Sequence, residues 1–365
     1  MHSDKKAAFI FINNGFFRKR NDENELFVQT LTMANILLTQ QCVRSCPYCF
    51  AKKHMADSVP DDILTWDNLI YIADLMEHSN EMGVSLLGGE PTLHPHFVDF
   101  VLYLLERRFH VNVFTSGILG EKMFNECERF LGNVSPDRLS FVCNVNNPDK
   151  SSFSELENVR RFLKTFGHLS TPGFNIYKHD FNIDFILQYV NEFGLKRHLR
   201  VGLAHPIPGQ HNIYVPIDKM KLMAERIISY LPVLERLKIK AGFDCGFPLC
   251  IFTEEQVGKL FKHNNGRLSF GCGPAIDIGP DMTVWGCFPL SNTHKRSIYE
   301  FDSMHDIRNY YRDIHHKVRT EVSGIFGDCD DCVYREEELC MGGCLAHSYN
   351  HFINEPNIRF KEIYK

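Results

Sequence analysis

Thirteen cysteines stand among the 365 residues, and their spacing limits what they can do. Cys42, Cys46 and Cys49 form a C-x3-C-x2-C pattern in the run Cys42-Val43-Arg44-Ser45-Cys46-Pro47-Tyr48-Cys49-Phe50. On a helix these thiols would share one face, but Pro47 would clash with the preceding turn and remove a donor. The segment therefore reads as a loop wrapped around something. Structural zinc takes four ligands, and no fourth lies nearby. Three thiolates suit a four-iron cluster in which one iron keeps no protein ligand. That open iron can take a chelating substrate or cofactor.

A second group is Leu87-Gly88-Gly89-Glu90-Pro91. Glycine lets backbone approach a neighbour closely, and a carboxylate accepts hydrogen bonds from an ammonium group. Taken alone, the run is an ordinary turn. Thr115-Ser116-Gly117 ends the next apolar run, and Asn144 and Asn146 end the one after. Such residues either close a strand in a turn or reach a ligand. Cys127 shares a helical face with Met123, Phe124, Phe130 and Leu131 and reads as core. Cys143 alternates with Asn144, so it faces the helices if Asn144 faces inward.

The remaining eight thiols are Cys245-x4-Cys250, Cys272-x14-Cys287 and Cys329-x2-Cys332-x7-Cys340-x3-Cys344. Eight is the ligand count of two four-cysteine sites; the C-x2-C pair taken alone favours zinc. His347 and His351, at i and i+4, either face a metal or sit in core or surface.

These groups need elements to position them. The sequence alternates strand and helix from 34 to 204: strands at 34–39, 83–87, 110–115, 138–145, 173–177 and 199–204, helices at 64–78, 95–107, 119–131, 152–166 and 181–193. Six strands with five helical crossovers imply parallel pairing and right-handed winding, open or closed into a partial barrel. Ligands then sit at the C-terminal strand ends, where Cys42, Glu90, Ser116 and Asn144 fall. A helix spans 217–238, with Pro216 at or just before its first turn. From about 241 the chain turns rich in Gly, Cys, Asp and Pro with few periodic runs, which reads as a small domain stapled by metal.

Composition narrows the rest. With 44% hydrophobic and 23% charged residues the chain is an ordinary globular one. A net charge of −5 carries no basic footprint for nucleic acid or an anionic membrane. No apolar run approaches the about 20 residues that cross a bilayer, and 7–12 reads as a strand and not a signal peptide. An odd cysteine count without an export signal points to reduced thiols and a cytoplasmic location.

The C-x3-C-x2-C loop after the first strand, with Tyr48 at its aromatic position, resembles the radical S-adenosylmethionine (radical SAM) superfamily, and Gly88-Gly89-Glu90-Pro91 resembles that family's GGEP element. The C-terminal run Cys272 to Cys344 resembles the SPASM extension, with Trp285 at a hairpin position that is usually aromatic. The resemblance implies an α/β fold: a partial (β/α)6 TIM-like barrel over 34–240, preceded by an extension at 1–33 and followed by a small Cys-rich iron–sulfur domain over 241–365. It implies that Cys42, Cys46 and Cys49 hold a [4Fe–4S] cluster whose free iron binds S-adenosylmethionine. Tyr48, Gly88, Gly89, Glu90, Ser116 and Asn144 would contact that cofactor, the GGEP segment through the methionine amino group. One electron would cleave the cofactor to methionine and a 5′-deoxyadenosyl radical that abstracts a substrate hydrogen.

By the same resemblance, a first auxiliary [4Fe–4S] cluster would use Cys272, Cys287, Cys344 and one of Cys245 or Cys250. A second would use Cys329, Cys332 and Cys340. Three departures stand out: Met282 replaces the hairpin glycine, the middle spacing is x7 where x5 is usual, and no cysteine follows Cys344. The fourth ligand of the second cluster is therefore open among Cys245, Cys250, another group and none. Auxiliary clusters suit net oxidation, so the expectation is an oxidoreductase of peptide-maturase type making a crosslink, thioether or similar bond in a peptide or protein. The alternatives are modification of a small molecule or tetrapyrrole, and an iron–sulfur electron carrier without SAM chemistry. The expected partner is a flavodoxin or ferredoxin reductant; because about 33 residues before the first barrel strand are few for a leader-binding module, either a separate protein binds the leader or the substrate is not a leader peptide. Neither nucleic acid nor membrane is expected.

Overall fold

The computed structural model describes residues 33–352, apart from Asn146, Gly209, Cys245, Arg267 and Ser269 and the side chains of Lys53, His54, His351 and Phe352. The strand read at 7–12, Asn146, Cys245 and the His351 side chain therefore lie outside the described residues.

The chain opens with β1 (Met33–Thr39), a short α1 (Lys52–Asp57), α2 (Trp66–His78) and β2 (Gly83–Gly88). It continues through α3 (Phe97–Glu106), β3 (His110–Thr115), α4 (Glu121–Leu131), β4 (Leu139–Asn144), α5 (Phe153–Phe166) and β5 (Ser170–Ile176). Then come α6 (Asp184–Glu192), β6 (His198–Leu203), α7 (Met220–Arg236) and β7 (Lys240–Phe243). The last part holds α8 (Glu254–His263), β8 (Asp277–Ile278), β9 (Thr283–Trp285), β10 (Arg296–Ser297), α9 (Met304–Glu321), α10 (Val333–Glu336) and α11 (Leu345–Phe352).

Among the described residues the ten strands form one sheet in the order β10-β9-β8-β1-β2-β3-β4-β5-β6-β7. From β1 to β7 every pair is parallel, as helical crossovers require. The barrel strands and helices expected from periodicity are present, with ends shifted by a few residues. Two expectations need correction. The sheet continues past the sixth strand, because Lys240–Phe243 pairs with β6 although it is only four residues long and holds Gly242. The stretch after 241 is also richer in regular structure than its composition suggests: β8 pairs parallel with β1, β9 and β10 add a hairpin, and α9 runs for 18 residues.

Alternation along the strands sorts the two faces. Ala34, Ile36 and Leu38 of β1 and Leu139, Phe141 and Cys143 of β4 join the core against the helices. Asn35, Leu37 and Thr39, and likewise Ser140, Val142 and Asn144, take the inner face. Cys143 thus points outward and Asn144 inward, as the alternation predicts. Cys127 is buried in α4 beside Phe124 and Leu131. Burial pushes the Cys127 and Cys143 thiols up to about 12, which keeps them protonated and inert. Among the described residues no helix is long and apolar enough to cross a membrane.

Candidate active site

The C-terminal ends of β1 to β4 converge on one rim. Beyond Thr39 the chain leaves regular structure until α1, so the cysteine segment is the loop that Pro47 dictates. The Arg44 N–H donates to the Cys42 Sγ at 3.4 Å, and the Cys49 N–H donates to the Cys46 carbonyl at 3.1 Å. The three thiols lie within electrostatic reach of one another. Burial, with the neighbouring Glu90 and cysteine charges, pushes Cys42 up to about 11, and burial raises Cys49. A metal centre binding here must displace those protons.

Two other loops hold this one in place. The Ile213 N–H, from the stretch after β6, donates to the Pro47 carbonyl at 3.0 Å. The Arg44 guanidinium, 6% exposed, donates to the Asn144 carbonyl at 3.2 Å and stands 3.7 Å from the Glu155 carboxylate. Glu155 in turn closes a capping box with Ser152 at the start of α5. Arg44 therefore links the cysteine loop to β4 and α5, a role its position between two cysteines did not reveal.

The Gly88-Gly89-Glu90 segment lies directly against the root of the cysteine loop. The Gly89 N–H donates to the Thr39 carbonyl at 2.9 Å, and the Glu90 N–H to the Gln41 carbonyl at 2.8 Å. A Cβ on Gly88 would stand 2.1 Å from the Thr39 oxygen, and one on Gly89 2.1 Å from the Gln41 oxygen. Both are closer than real side chains come, so the glycines are needed for backbone-to-backbone contact between the two loops.

Glu90 is 1% exposed. One carboxylate oxygen accepts from the Thr92 and Thr115 hydroxyls at 2.8 Å each and from the Thr92 N–H at 3.4 Å. The other accepts from the Ser116 N–H at 2.8 Å and its hydroxyl at 2.6 Å. Five donors saturate a group with about four lone-pair sites. The carboxylate thereby locks the end of β2 to the end of β3, with Ser116 as part of the lock.

On the inner face the structure gathers a polar group that motif reading passed over. The Arg200 guanidinium of β6 pairs with Asp244 and donates to the side-chain oxygens of Asn144 and Asn175 at 3.4 Å each, and it lies 5.1 Å over the Phe114 ring. Burial raises the Asp244 carboxyl and the nearby Arg200 charge opposes that rise. The available signal was Arg200 between the outward Leu199 and Val201, a charge on an inward strand position. Tyr48 stacks on Tyr177 with ring centroids 4.8 Å apart, and burial raises its hydroxyl.

The C-terminal cysteines fall into two sets. Cys344 hydrogen-bonds the Cys272 side chain and feels the Cys272 and Cys287 charges, which together with burial raise it well above an ordinary thiol. The second set comprises Cys329, Cys332 and Cys340, with Cys250 beside them. Arg319 of α9 supports the loop between Cys340 and Cys344 by donating to the Met341 and Gly343 carbonyls. Phe50, next to Cys49, packs against Phe288, next to Cys287, with centroids 6.2 Å apart. His347 is buried against the rings of His205 and Tyr214, a core position. Among the described residues no three His, Cys, Asp or Glu side chains stand close enough to share a single metal ion.

Comparison with known proteins bears on the class. Residues 36–163 match the family model of the radical SAM superfamily. This part of the chain matches a radical SAM domain, and the match supports an enzyme. Molybdenum cofactor biosynthesis protein 1 of Bos taurus is 23% identical over 213 residues, 56% of this chain and 31% of its own length. The match thus spans about a third of that relative. Among solved structures, SuiB of Streptococcus suis bound to precursor peptide SuiA aligns with a TM-score of 0.62 at 16% identity, over 89% of this chain and 73% of that one. Native anSMEcpe with bound AdoMet and Cp18Cys peptide aligns with a TM-score of 0.60 at 14% identity, over 91% and 98%. At these identities the likeness is one of fold, and it extends through the C-terminal part.

The thiols and the saturated carboxylate fit the cofactors of this class, a [4Fe–4S] cluster and S-adenosylmethionine. Three cysteines on a loop without a fourth leave an iron corner for a small chelating ligand. Immobilising Glu90 fixes the backbone at the edge of that corner.

Proposed function

We propose that the protein reductively cleaves S-adenosylmethionine and uses the resulting radical for an oxidative modification of a peptide or protein, such as a crosslink or thioether. The observation that carries this reading is the convergence of Cys42, Cys46 and Cys49 with the Glu90-locked loop at the strand ends of one barrel rim. A cluster bound by those thiols supplies the single electron that breaks the cofactor's sulfonium bond. The chain's own part is to orient. Gly88 and Gly89 keep the two loops in contact, Arg44 fixes the cysteine loop against β4, and Asn144, Asn175 and Arg200 offer polar contacts facing inward.

Net oxidation removes one hydrogen atom and then one electron and a proton from substrate. The two C-terminal cysteine sets, read as auxiliary clusters of a SPASM-type domain, would accept that electron and pass it to a flavodoxin or ferredoxin. Cys272, Cys287 and Cys344 belong to the first and Cys329, Cys332 and Cys340 to the second. Domain limits of 34–240 and 241–365 accompany this reading, with β7 at their junction.

A peptide substrate is favoured by the peptides named in the SuiB and anSMEcpe structures. A cavity of about 1010 Å³, lined by Asn212, Tyr214, Lys221, Phe326 and His347, also opens beside the loop that backs Pro47. A separate leader-binding protein remains part of the proposal, as does a reducing cytoplasmic setting for so many thiols. The second reading, a small-molecule or tetrapyrrole substrate, is favoured by the cofactor-biosynthesis relative.

The test is anaerobic incubation of the reconstituted, dithionite-reduced protein with S-adenosylmethionine. Formation of 5′-deoxyadenosine is expected, and its loss in the Cys42→Ala variant. Absence of product from a protein that carries its full iron would favour an electron carrier instead.

A further inference from the structure

The first and second C-terminal sets each show three thiols of a four-ligand site, and the geometry points to the missing member of the second. We propose that Cys250 is the fourth ligand of the second auxiliary cluster, completing Cys329, Cys332 and Cys340 from the stretch between β7 and α8. The resemblance to the SPASM extension would instead have drawn that ligand from downstream of Cys344. The proposal rests on the reading that these cysteines bind iron–sulfur clusters.

Cys250 lies in a single 3-10 turn, Leu249–Ile251, whose flanking Leu249 and Ile251 side chains are buried in the core. Anchored on both sides, the turn turns Cys250 outward, and it is the exposed member of the set. The turn is also in direct contact with one of the other three thiols: the Leu249 N–H donates to the Cys340 Sγ at 3.4 Å. That sulfur accepts a second bond from the Gly342 N–H, also at 3.4 Å. Amide donors to a ligand sulfur are a usual means of tuning a cluster.

The other two thiols share the same neighbourhood. Cys329 ends the turn Gly327–Cys329, and its sulfur packs so closely on Gly324 that a Cβ there would stand 2.4 Å away. Cys332 caps α10, and Arg335 of that helix donates to the Cys329 carbonyl at 3.3 Å. Cys250, one residue along from Leu249, is placed beside Cys340 by the Leu249 hydrogen bond. Four thiolates converging from two distant stretches of chain leave no open iron corner. The second cluster is then closed to substrate, and it ties the turn after β7 to the loop before α11.

The experiment uses the full chain with Cys42, Cys46 and Cys49 replaced by Ala, so that only the auxiliary clusters are read. After anaerobic reconstitution this background should carry about eight irons. Adding Cys250→Ala should remove between one and four irons, with a [3Fe–4S] EPR signal in the oxidised protein if a single iron is lost. Adding Cys250→Ser should retain iron but change the EPR spectrum of the reduced protein, and far-UV circular dichroism should match the background in both. Unchanged iron and unchanged spectra in Cys250→Ala would overturn the proposal. Zinc in place of iron in the background protein would overturn the cluster reading itself, an outcome distinguishable because it precedes any change at Cys250.

Discussion

Glu90 shows how a motif residue acts through its neighbours. Its carboxylate takes bonds from Thr92, Thr115 and Ser116, all of which are donors. Replacing one oxygen by an amide turns an acceptor into a donor facing donors. Glu90→Gln should therefore cost about 1–3 kcal/mol, read as a lowered denaturation midpoint of the holoprotein; an unchanged midpoint would mean that the lock is not maintained in solution. The sequence made Glu90 conspicuous but not its partners. Thr115 and Ser116 were legible as the end of a strand, yet only the parallel register of β2 against β3 brings them to the carboxylate. Arg44 was silent for the same reason, and Arg200 showed only as a charge on an inward strand position, since their partners lie 100 and 44 residues away.

At the level of elements, periodicity served where burial is apolar and failed where it is not. In α4 and α5 the buried positions are hydrophobic at helical spacing, and both helices were readable. The buried face of α9 includes Arg308, His315 and Arg319 beside Met304, Ile307, Tyr311 and Val318, so its stripe was hidden by charge. Arg308 explains the charge: it forms two 2.6 Å bonds with Glu81, at the turn before β2, and both side chains are nearly inaccessible. Arg308→Ala would leave a buried carboxylate alone and should destabilise the protein by about 3–5 kcal/mol. The double replacement Arg308→Met with Glu81→Leu should recover much of that loss. Equal losses in the single and double variants, measured by chemical denaturation, would show that α9 is not held to the barrel through this pair.

At the scale of the whole molecule, the sheet joins what composition divided. The hairpin strands β8 and β9, which lie between Cys272 and Cys287, continue the barrel sheet beyond β1, and the Asn35 amide donates to Asp277 at 2.6 Å across that join. The grouping of the C-terminal thiols came from the family resemblance and not from spacing, because their mutual placement depends on strand order, which spacing does not encode. The ring contact of Phe50 with Phe288 brings the loop of the first three cysteines against the turn that follows Cys287.

The claim on which the rest depends is that Cys42, Cys46 and Cys49 hold a four-iron cluster with one corner open to S-adenosylmethionine. The most direct measurement is EPR of the dithionite-reduced holoprotein, recorded with and without S-adenosylmethionine and repeated with the three cysteines replaced by Ala. Addition of the cofactor should alter the spectrum of the native protein only, and total iron should fall from about twelve to about eight in the variant. A spectrum indifferent to S-adenosylmethionine, or iron unchanged by the triple replacement, would contradict it.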